Sequence, residues 1–516
     1  MKACLGHGQW MVRWVPDLYF GYGYPVFNFY PPVFYMLGAL IADLGIGIVM
    51  AFNVSMFIVF FLSGCTMYLF ARELWGREGG LISAMAYMFA PYHIVDLYVR
   101  TTAAETTSFI FLPLILWSFY KLQQTSRKRY VVFSSLSCAG LLLTHNITSI
   151  IFFPLAFVYI GLLYWPYSSY VRIMSLLRGF LALAVGTGLA AFFWLPAFVE
   201  KKFVHIDVLT KGSEDFHKNF LSLKQLVSPV WGYNLPHDVE PTMSCQVGLV
   251  HILMVLIVLM GIKKLAGQGA QLMAQGVFFM MVLAGAIFLT LPCSLVIWQH
   301  ISLLQFLQFP FRFLILVVLA VSVIAGGIVV LAGPRNLFII SMAAGLMIFL
   351  ANFSYCHPRA TFNYDLSVTN TDPERILSNL VPQDGGDYIP IWVKNGLKGL
   401  PSSKPAQKLQ ALTDGQVLDS NKISPLRYRF KVRSQQLSIF CFHSFYFPGW
   451  MVDVDGRGTN ILKDNPLGLI IFQCPEGVHD VDIYFGTTPL RRTALEITVG
   501  SLVLLVLMLI FPVSGI

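Results

Sequence analysis

Repeated apolar stretches, long enough to cross a bilayer and nearly free of charge, constrain this chain more than any other feature. About eleven can be drawn: Met50–Phe70, Gly80–Val95, Thr106–Leu122, Val131–Leu143, Ile147–Trp165, Gly179–Trp194, Val247–Ile262, Leu272–Leu295, Phe313–Leu331, Leu337–Phe353 and Ala494–Phe511. The two around His145 have one broken hairpin as their alternative reading. A shorter run, Val33–Ile48, carries Asp43 and reads as a helix lying at the membrane interface. Of the 516 residues, 56% are hydrophobic and 12% charged, against roughly 25% charged in soluble domains. A water-soluble core cannot absorb that much apolar surface, so lipid is the solvent for most of the chain.

The net charge of +9 raises the question of nucleic acid, but the basic residues sit mostly in short loops between apolar runs. Alternating from Met50, one side collects Arg72 and Arg77, then Lys121 and Arg127–Arg129, then Arg172 and Arg178, then Lys263 and Lys264, then Arg335. That side is assigned to the cytoplasm by the positive-inside rule. The opposite side receives the N-terminal segment, the 92–105 loop, the loop at His145, the long 200–243 loop, the loop at 308–312 and a large polar region. Lys201/Lys202 and Arg491/Arg492 are basic pairs on that outer side and depart from the pattern. The cytoplasmic loops leave no room for a nucleotide-binding domain. Neither GxxxxGK[ST] nor GxGxxG occurs, which argues against ATP-driven transport by this chain alone.

From about Cys356 to Ala494 the apolar runs stop. Turn-rich segments at 368–373, 383–387 and 399–405 lead into stretches of period two: RYRFKVR at 427–433, LSIFCF at 437–442, MVDVDG at 451–456, LGLIIF at 467–472 and HDVDIYF at 479–485. Short alternating strands with turns between them predict a β-sandwich. FPGW at 447–450 reads as a turn. The domain is a sugar-binding module, a lid or a structural cap. Cys441 and Cys474 fall on predicted strands and either pair or remain buried thiols. No CxxC occurs among the eight cysteines. The expected fold is thus a polytopic α-helical membrane protein of about 11 transmembrane helices with an extracytoplasmic β-sandwich before the last. Its divisions are an aromatic loop with an interfacial helix (1–49), a multi-span domain (50–355), the β-rich domain (356–493) and a final helix (494–516).

Five segments carry candidate chemistry. RWVPDLYFGYGYPVFNFYPP at 13–32 interleaves aromatic rings with Gly and Pro around one acid, Asp17. Interfacial aromatic belts explain much of it; an ordered carboxylate there can also serve as a general base or hold a divalent cation. YHIVDLYVRTTAAE at 92–105 sets Arg100 one helical turn from Asp96, with Glu105 beyond. The arrangement is either a salt bridge or a grip on a lipid phosphate. LLLTHNIT at 141–148 puts His145 and Asn146 between apolar runs, as packed residues or as a site. In FFWLPAFVE at 192–200, Pro196 is expected to end the helix and Glu200 to emerge outside. QFPFRF at 308–313 places Arg312 at the outer end of a span, to snorkel or to bind a phosphate.

Together these motifs resemble the bacterial membrane protein family named for a 6-pyruvoyl-tetrahydropterin synthase-related domain. They are also similar to YfhO-like proteins and to the GT-C architecture of lipid-linked sugar transferases. The resemblance runs over nearly the whole chain, through WVPDL, GYGYP, FYPP, YVR, THN, WLPA, FPFRF and FYFPGW. No His cluster suits the zinc of the pterin enzyme. The GT-C likeness implies sugar transfer from a polyprenyl-phosphate donor to a saccharide, lipid or protein acceptor, with Asp17 as catalytic base. It further implies Arg100 and Arg312 at the donor phosphate, and Glu105, His145, Asn146 and Glu200 assisting. A divalent cation is an open cofactor expectation; nucleic acid is not an expected partner. GT-C proteins begin with a transmembrane helix before the catalytic loop, and no cleavable signal or apolar run precedes Asp17 here. The likeness therefore implies an apolar stretch encoded upstream of Met1, or else export of this segment without an anchor. A flippase of lipid-linked saccharides and a non-catalytic assembly protein are the alternatives.

Overall fold

The computed structural model of the protein describes residues 5–6, 11–165, 169–206, 214–238, 240–332, 336–357, 388–394 and 404–510. The expected turns at 368–373 and 383–387, most of that at 399–405, the first residues, Arg335 and Phe511 lie outside them. The chain falls into two units. One gathers Met1–Ala51, Ala191–Val208 and Asn363–Thr498; the other gathers Phe52–Ala190, Leu209–Phe362 and Val499–Ile516.

Across the described residues, eight helices are long and apolar enough to cross a membrane, not eleven. Each difference has a local cause. The runs at 50–70 and 80–95 fuse into Ile48–Met88, a helix of 41 residues broken at Gly76, whose φ of 77° a side-chain-bearing residue rarely adopts. At 1.5 Å per residue the unbroken length would be about twice a bilayer's hydrocarbon core. Val131–Leu143 and Val247–Ile262 become helices of 15 and 12 residues, Lys128–Leu142 and Leu249–Met260, too short to count as spans. Pro196 does not end its helix: Ala191–Glu200 runs through it, and the interruption falls before Ala191, after Ser169–Leu189. Val33–Asp43 is an 11-residue helix.

The hub is Pro310–Leu331, the most apolar span, in which every residue from Leu314 to Gly326 is buried. A helix apolar all round belongs inside a bundle. Trp75 closes against it, donating from Nε1 to the Val323 carbonyl at 2.7 Å.

In the first unit the alternation read at 427–433 is realised literally. On β3 (Arg427–Ser434) every even-numbered residue is buried and every odd one exposed. Two antiparallel sheets form. β1 (Leu409–Ala411), β4 (Ser438–Phe445) and β7 (Leu469–Cys474) run in the order β1-β4-β7. β2 (Gly415–Ser424), β3, β5 (Trp450–Val454), β6 (Arg457–Gly458) and β8 (Gly477–Phe485) run in the order β2-β3-β8-β5-β6. Phe442 of β4 meets Trp450 of β5 at 5.6 Å and Phe430 of β3 at 6.1 Å between ring centroids, joining the sheets. Cys441 lies opposite Ile471, and Cys474 opposite Ser438; both are buried free thiols, so of the two readings pairing is set aside.

The aromatic N-terminal segment belongs to this β core. Trp14 is fully buried, stacked on Phe447 at 6.1 Å and Phe485 at 5.8 Å, with its edge to Trp450 at 5.9 Å. The Tyr22 carbonyl accepts from the Phe445 amide at 2.8 Å, and Val15 pairs with Tyr24. Gly23 has φ +86°, and the Trp14 indole fills the place where its Cβ would stand, so glycine is required there. Replacing Trp14 with Ala is expected to destabilise this unit by about 3–5 kcal/mol. Limited proteolysis of the full-length protein should then cleave 404–490 at a lower temperature than in the unaltered chain.

A buried charge network as candidate functional site

The 92–105 segment folds as two short helical pieces around a reversal. Pro91 opens helix Pro91–Tyr98, its fixed φ suiting the first helical position. Thr101, at φ 50°, turns the chain, and the Thr102 amide donates to the Asp96 carbonyl. Helix Ala103–Thr125 then starts with Glu105 in its first turn, where the helix dipole favours an anion. The reversal returns Glu105 onto Arg100. One guanidinium nitrogen, Nη1, lies 2.5 Å from Asp96 Oδ1, 3.0 Å from Glu105 Oε2 and 2.9 Å from the Tyr92 hydroxyl. Tyr92 donates on to Glu105 Oε1 at 2.8 Å. Tyr92 and Asp96 stand one turn apart on helix Pro91–Tyr98, and Arg100 follows just past its end, a four-residue spacing legible in the sequence.

Arg312 arrives from the hub span. Gln308 at φ 65° and Pro310 at the head of the short helix Pro310–Phe313 aim it inward. Its Nη1 donates to the Leu307 carbonyl and to Gln308 Oε1, both at 2.7 Å. Its Nε, 3.9 Å from Glu105 Oε2, is buried without a hydrogen bond, as is Asp96 Oδ2. Gln308 in turn donates to Glu214 Oε2 at 2.6 Å. Phe311 lies under Arg100 at 5.3 Å and Phe309 under Arg312 at 4.9 Å. His145 caps helix Asn146–Tyr164, with Nδ1 2.7 Å from the Thr148 hydroxyl, and Thr148 also accepts from Ser108, one turn past Glu105. Asn146 is the first residue of that helix, beside the network but half-exposed.

The salt bridge expected between Asp96 and Arg100 therefore forms, yet it is buried, where a charge pair persists only when further hydrogen bonds satisfy it. Tyr92, Gln308 and Glu214 complete the network and were not singled out from sequence. Glu214 carries no local signal, because it meets Gln308 across 94 residues.

Asp17 and Glu200 belong to the other unit. Asp17 sits half-exposed on the turn at residues 17–23, its carbonyl accepting from Gly21. Lys408 holds that turn, donating from Nζ to the Gly21 carbonyl at 2.6 Å and the His443 carbonyl at 2.8 Å. Burial pushes the Lys408 ammonium down to about 7, against the opposing pull of Asp17. Glu200 is buried and accepts from Arg491 Nη2 at 2.9 Å and Asn28 Nδ2 at 2.7 Å. Arg13 donates to Asn28 Oδ1 at 3.0 Å; burial, with Arg491 near, lowers Arg13 to about 10. Arg491 lies over Phe485 at 5.0 Å, and its Nη1 stands where a Cβ on Gly449 would be. The FPGW turn is thereby shaped as a socket for Arg491. Among the described residues no three His, Cys, Asp or Glu side chains gather so as to hold a metal ion.

Eight apolar spans, a separate β region and a buried ionic network among the helices define the class, a multi-pass membrane protein with a β-sheet domain. The family model for the 6-pyruvoyl-tetrahydropterin synthase related domain, a membrane protein family, matches residues 27–356, and the chain belongs to that family. It is also similar to an uncharacterized protein of Lactococcus lactis subsp. cremoris (strain MG1363), 23% identical over 226 residues. That match covers 42% of this chain and 36% of the relative's length.

Glu105→Gln leaves Arg100 and Arg312 short of a counter-charge and is expected to cost about 3–5 kcal/mol, read as thermal unfolding of the purified protein in detergent. Lys408 binds its proton less readily folded than unfolded, so between pH 7 and about 10 stability rises with pH. Lys408→Met should flatten that rise in a melting-temperature series.

Proposed function

We propose that this protein is a GT-C-like membrane glycosyltransferase that moves a sugar from a polyprenyl-phosphate donor to an extracytoplasmic acceptor. The observation that carries the reading is the buried network of Arg100, Asp96, Glu105 and Arg312. Ionisable groups among membrane helices are costly and mark sites of function. Arg312 keeps an unbonded Nε inside the network, a donor available to a phosphate oxygen that competes for Glu105's place. In the reaction, an acceptor hydroxyl attacks the anomeric carbon as its proton passes to a carboxylate, the role that the GT-C likeness gives Asp17. The C–O bond to the phosphate breaks with inversion, and the negative charge gathering on the leaving lipid phosphate is met by the two guanidiniums. A donor carrying its own activated bond needs no nucleotide site, in keeping with the motifs that are missing from the sequence.

In this reading Glu105 and Asp96 orient Arg100, while His145 and Asn146 border the donor site. Glu200 is proposed to assist in positioning, held by its contacts with Asn28 and Arg491. The β domain faces the exterior of a bacterial plasma membrane, and the acceptor is a saccharide, lipid or protein there. A flippase for lipid-linked saccharides is the second reading; it also calls for ionisable groups buried among spans, and the same network favours it.

In the native host, Asp17→Asn should abolish the surface glycan that depends on this protein while leaving its abundance unchanged. Arg312→Lys should lower product formation on the order of a hundredfold or more, because a point charge replaces a planar fork. Unaltered glycans in Asp17→Asn at normal protein levels would rule out the transferase. Movement of a lipid-linked saccharide across liposomes by purified protein, with no bond broken, would establish the flippase instead.

A further inference from the structure

Two basic pairs, Lys201/Lys202 and Arg491/Arg492, break the charge pattern of the loops, and they lie 290 residues apart in sequence. The structure brings them together. Glu200, the last residue of helix Ala191–Glu200, receives two hydrogen bonds from Arg491, at 2.9 and 3.3 Å, in the first turn of the final helix Pro489–Ile510. Lys201 and Lys202 follow Glu200 directly in a single 3-10 turn, and Arg492 follows Arg491. Lys202 and Arg492 are exposed, Lys201 half-exposed. Arg13 joins through Asn28. Arg491 is thus bonded to Glu200, Arg13 is linked to it through Asn28, and Lys201, Lys202 and Arg492 adjoin these residues in sequence, while the buried carboxylate of Glu200 is already shared between Arg491 and Asn28 and Glu496 stands one helical turn past Arg492.

The depth of this patch is fixed by the helix it sits on. Ile497, 42% exposed, begins the lipid-facing apolar surface of the last span. Arg492 is five residues before it, about 7–8 Å along the axis by the rise of an α-helix. Phe198, 60% exposed, stands under Lys201, whose Nζ is 4.4 Å from the ring centroid. An exposed aromatic ring beneath an ammonium group is the composition of an interfacial anchor. We propose that Lys201, Lys202 and Arg492 form a binding site for the phosphate headgroup of an anionic membrane lipid in the leaflet where the final helix begins. The site is independent of sugar transfer. It accounts for basic residues where topology alone disfavours them: they contact lipid phosphate, each contributing in the manner of a juxtamembrane basic residue.

The test is native mass spectrometry of the full chain released from nanodiscs of equal phosphatidylglycerol and phosphatidylcholine. The natural chain should retain phosphatidylglycerol in preference. Lys201→Gln/Lys202→Gln/Arg492→Gln should lower that preference on the order of tenfold or more, while Lys263→Gln/Lys264→Gln, another basic pair, should leave it unchanged. Raising the salt around the natural chain should weaken the preference too, which keeps the test decisive if the triple variant fails to fold. Equal retention of both lipids by the natural chain, an undiminished preference in the triple variant, or the same loss in the 263/264 variant would overturn the proposal. So would displacement of the lipid by millimolar glycerol 3-phosphate, which would make the site one for a free anion.

Discussion

Removing a guanidinium from water costs several kcal/mol unless its donors are met, and Arg100 is met by Asp96, Glu105 and Tyr92 on one nitrogen. That cluster dictates how the surrounding backbone is built. The left-handed Thr101 exists to reverse the chain so that Glu105 can return to Arg100. The bend at Gln308 and the proline after it exist to deliver Arg312 to the same carboxylate. Phe309 and Phe311 then wall the cations off with ring faces, which attract positive charge without needing water. A network of this kind is demanding: each member depends on the others for its partners, so a loss at one position strands the rest.

The other unit applies the same economy to aromatic rings. Trp14, Phe447, Trp450 and Phe485 form a single cluster from segments over 400 residues apart, and Gly23 and Gly449 are the positions where backbone yields to let a large group approach. The aromatic richness of residues 13–32 looked like an interfacial belt because a belt and a β-domain core draw on the same residues, Trp, Tyr and Phe. Composition cannot separate the two; only the partner surface can. The carboxylate of Asp17 consequently rides on a turn fastened to the β module by Lys408.

The family match and the geometry bear on different questions. The match establishes a membrane protein of a known family over residues 27–356. The geometry shows which ionisable groups of that stretch meet, and it separates the candidates into two sets. Arg100, Glu105, His145 and Arg312 belong with the helices, whereas Asp17 and Glu200 belong with the β module.

The sequence by itself determined that lipid surrounds most of the chain, that a β-rich region stands before the last helix, and which side chains alternate inward along β3. Each follows from local hydrophobic period, which neighbouring residues carry without help. It also marked Asp96, Arg100, Glu105 and Arg312, since charges beside apolar runs are conspicuous. Tertiary structure alone decided the number of long spans, because the break at Gly76 and the shortness of Lys128–Leu142 and Leu249–Met260 lie beneath the resolution of a hydropathy average. It alone joined Glu214 to Gln308, Glu200 to Arg491 and Trp14 to Phe447. These contacts close loops of about one hundred to more than four hundred residues, and no period within a segment encodes which distant segment will complete it.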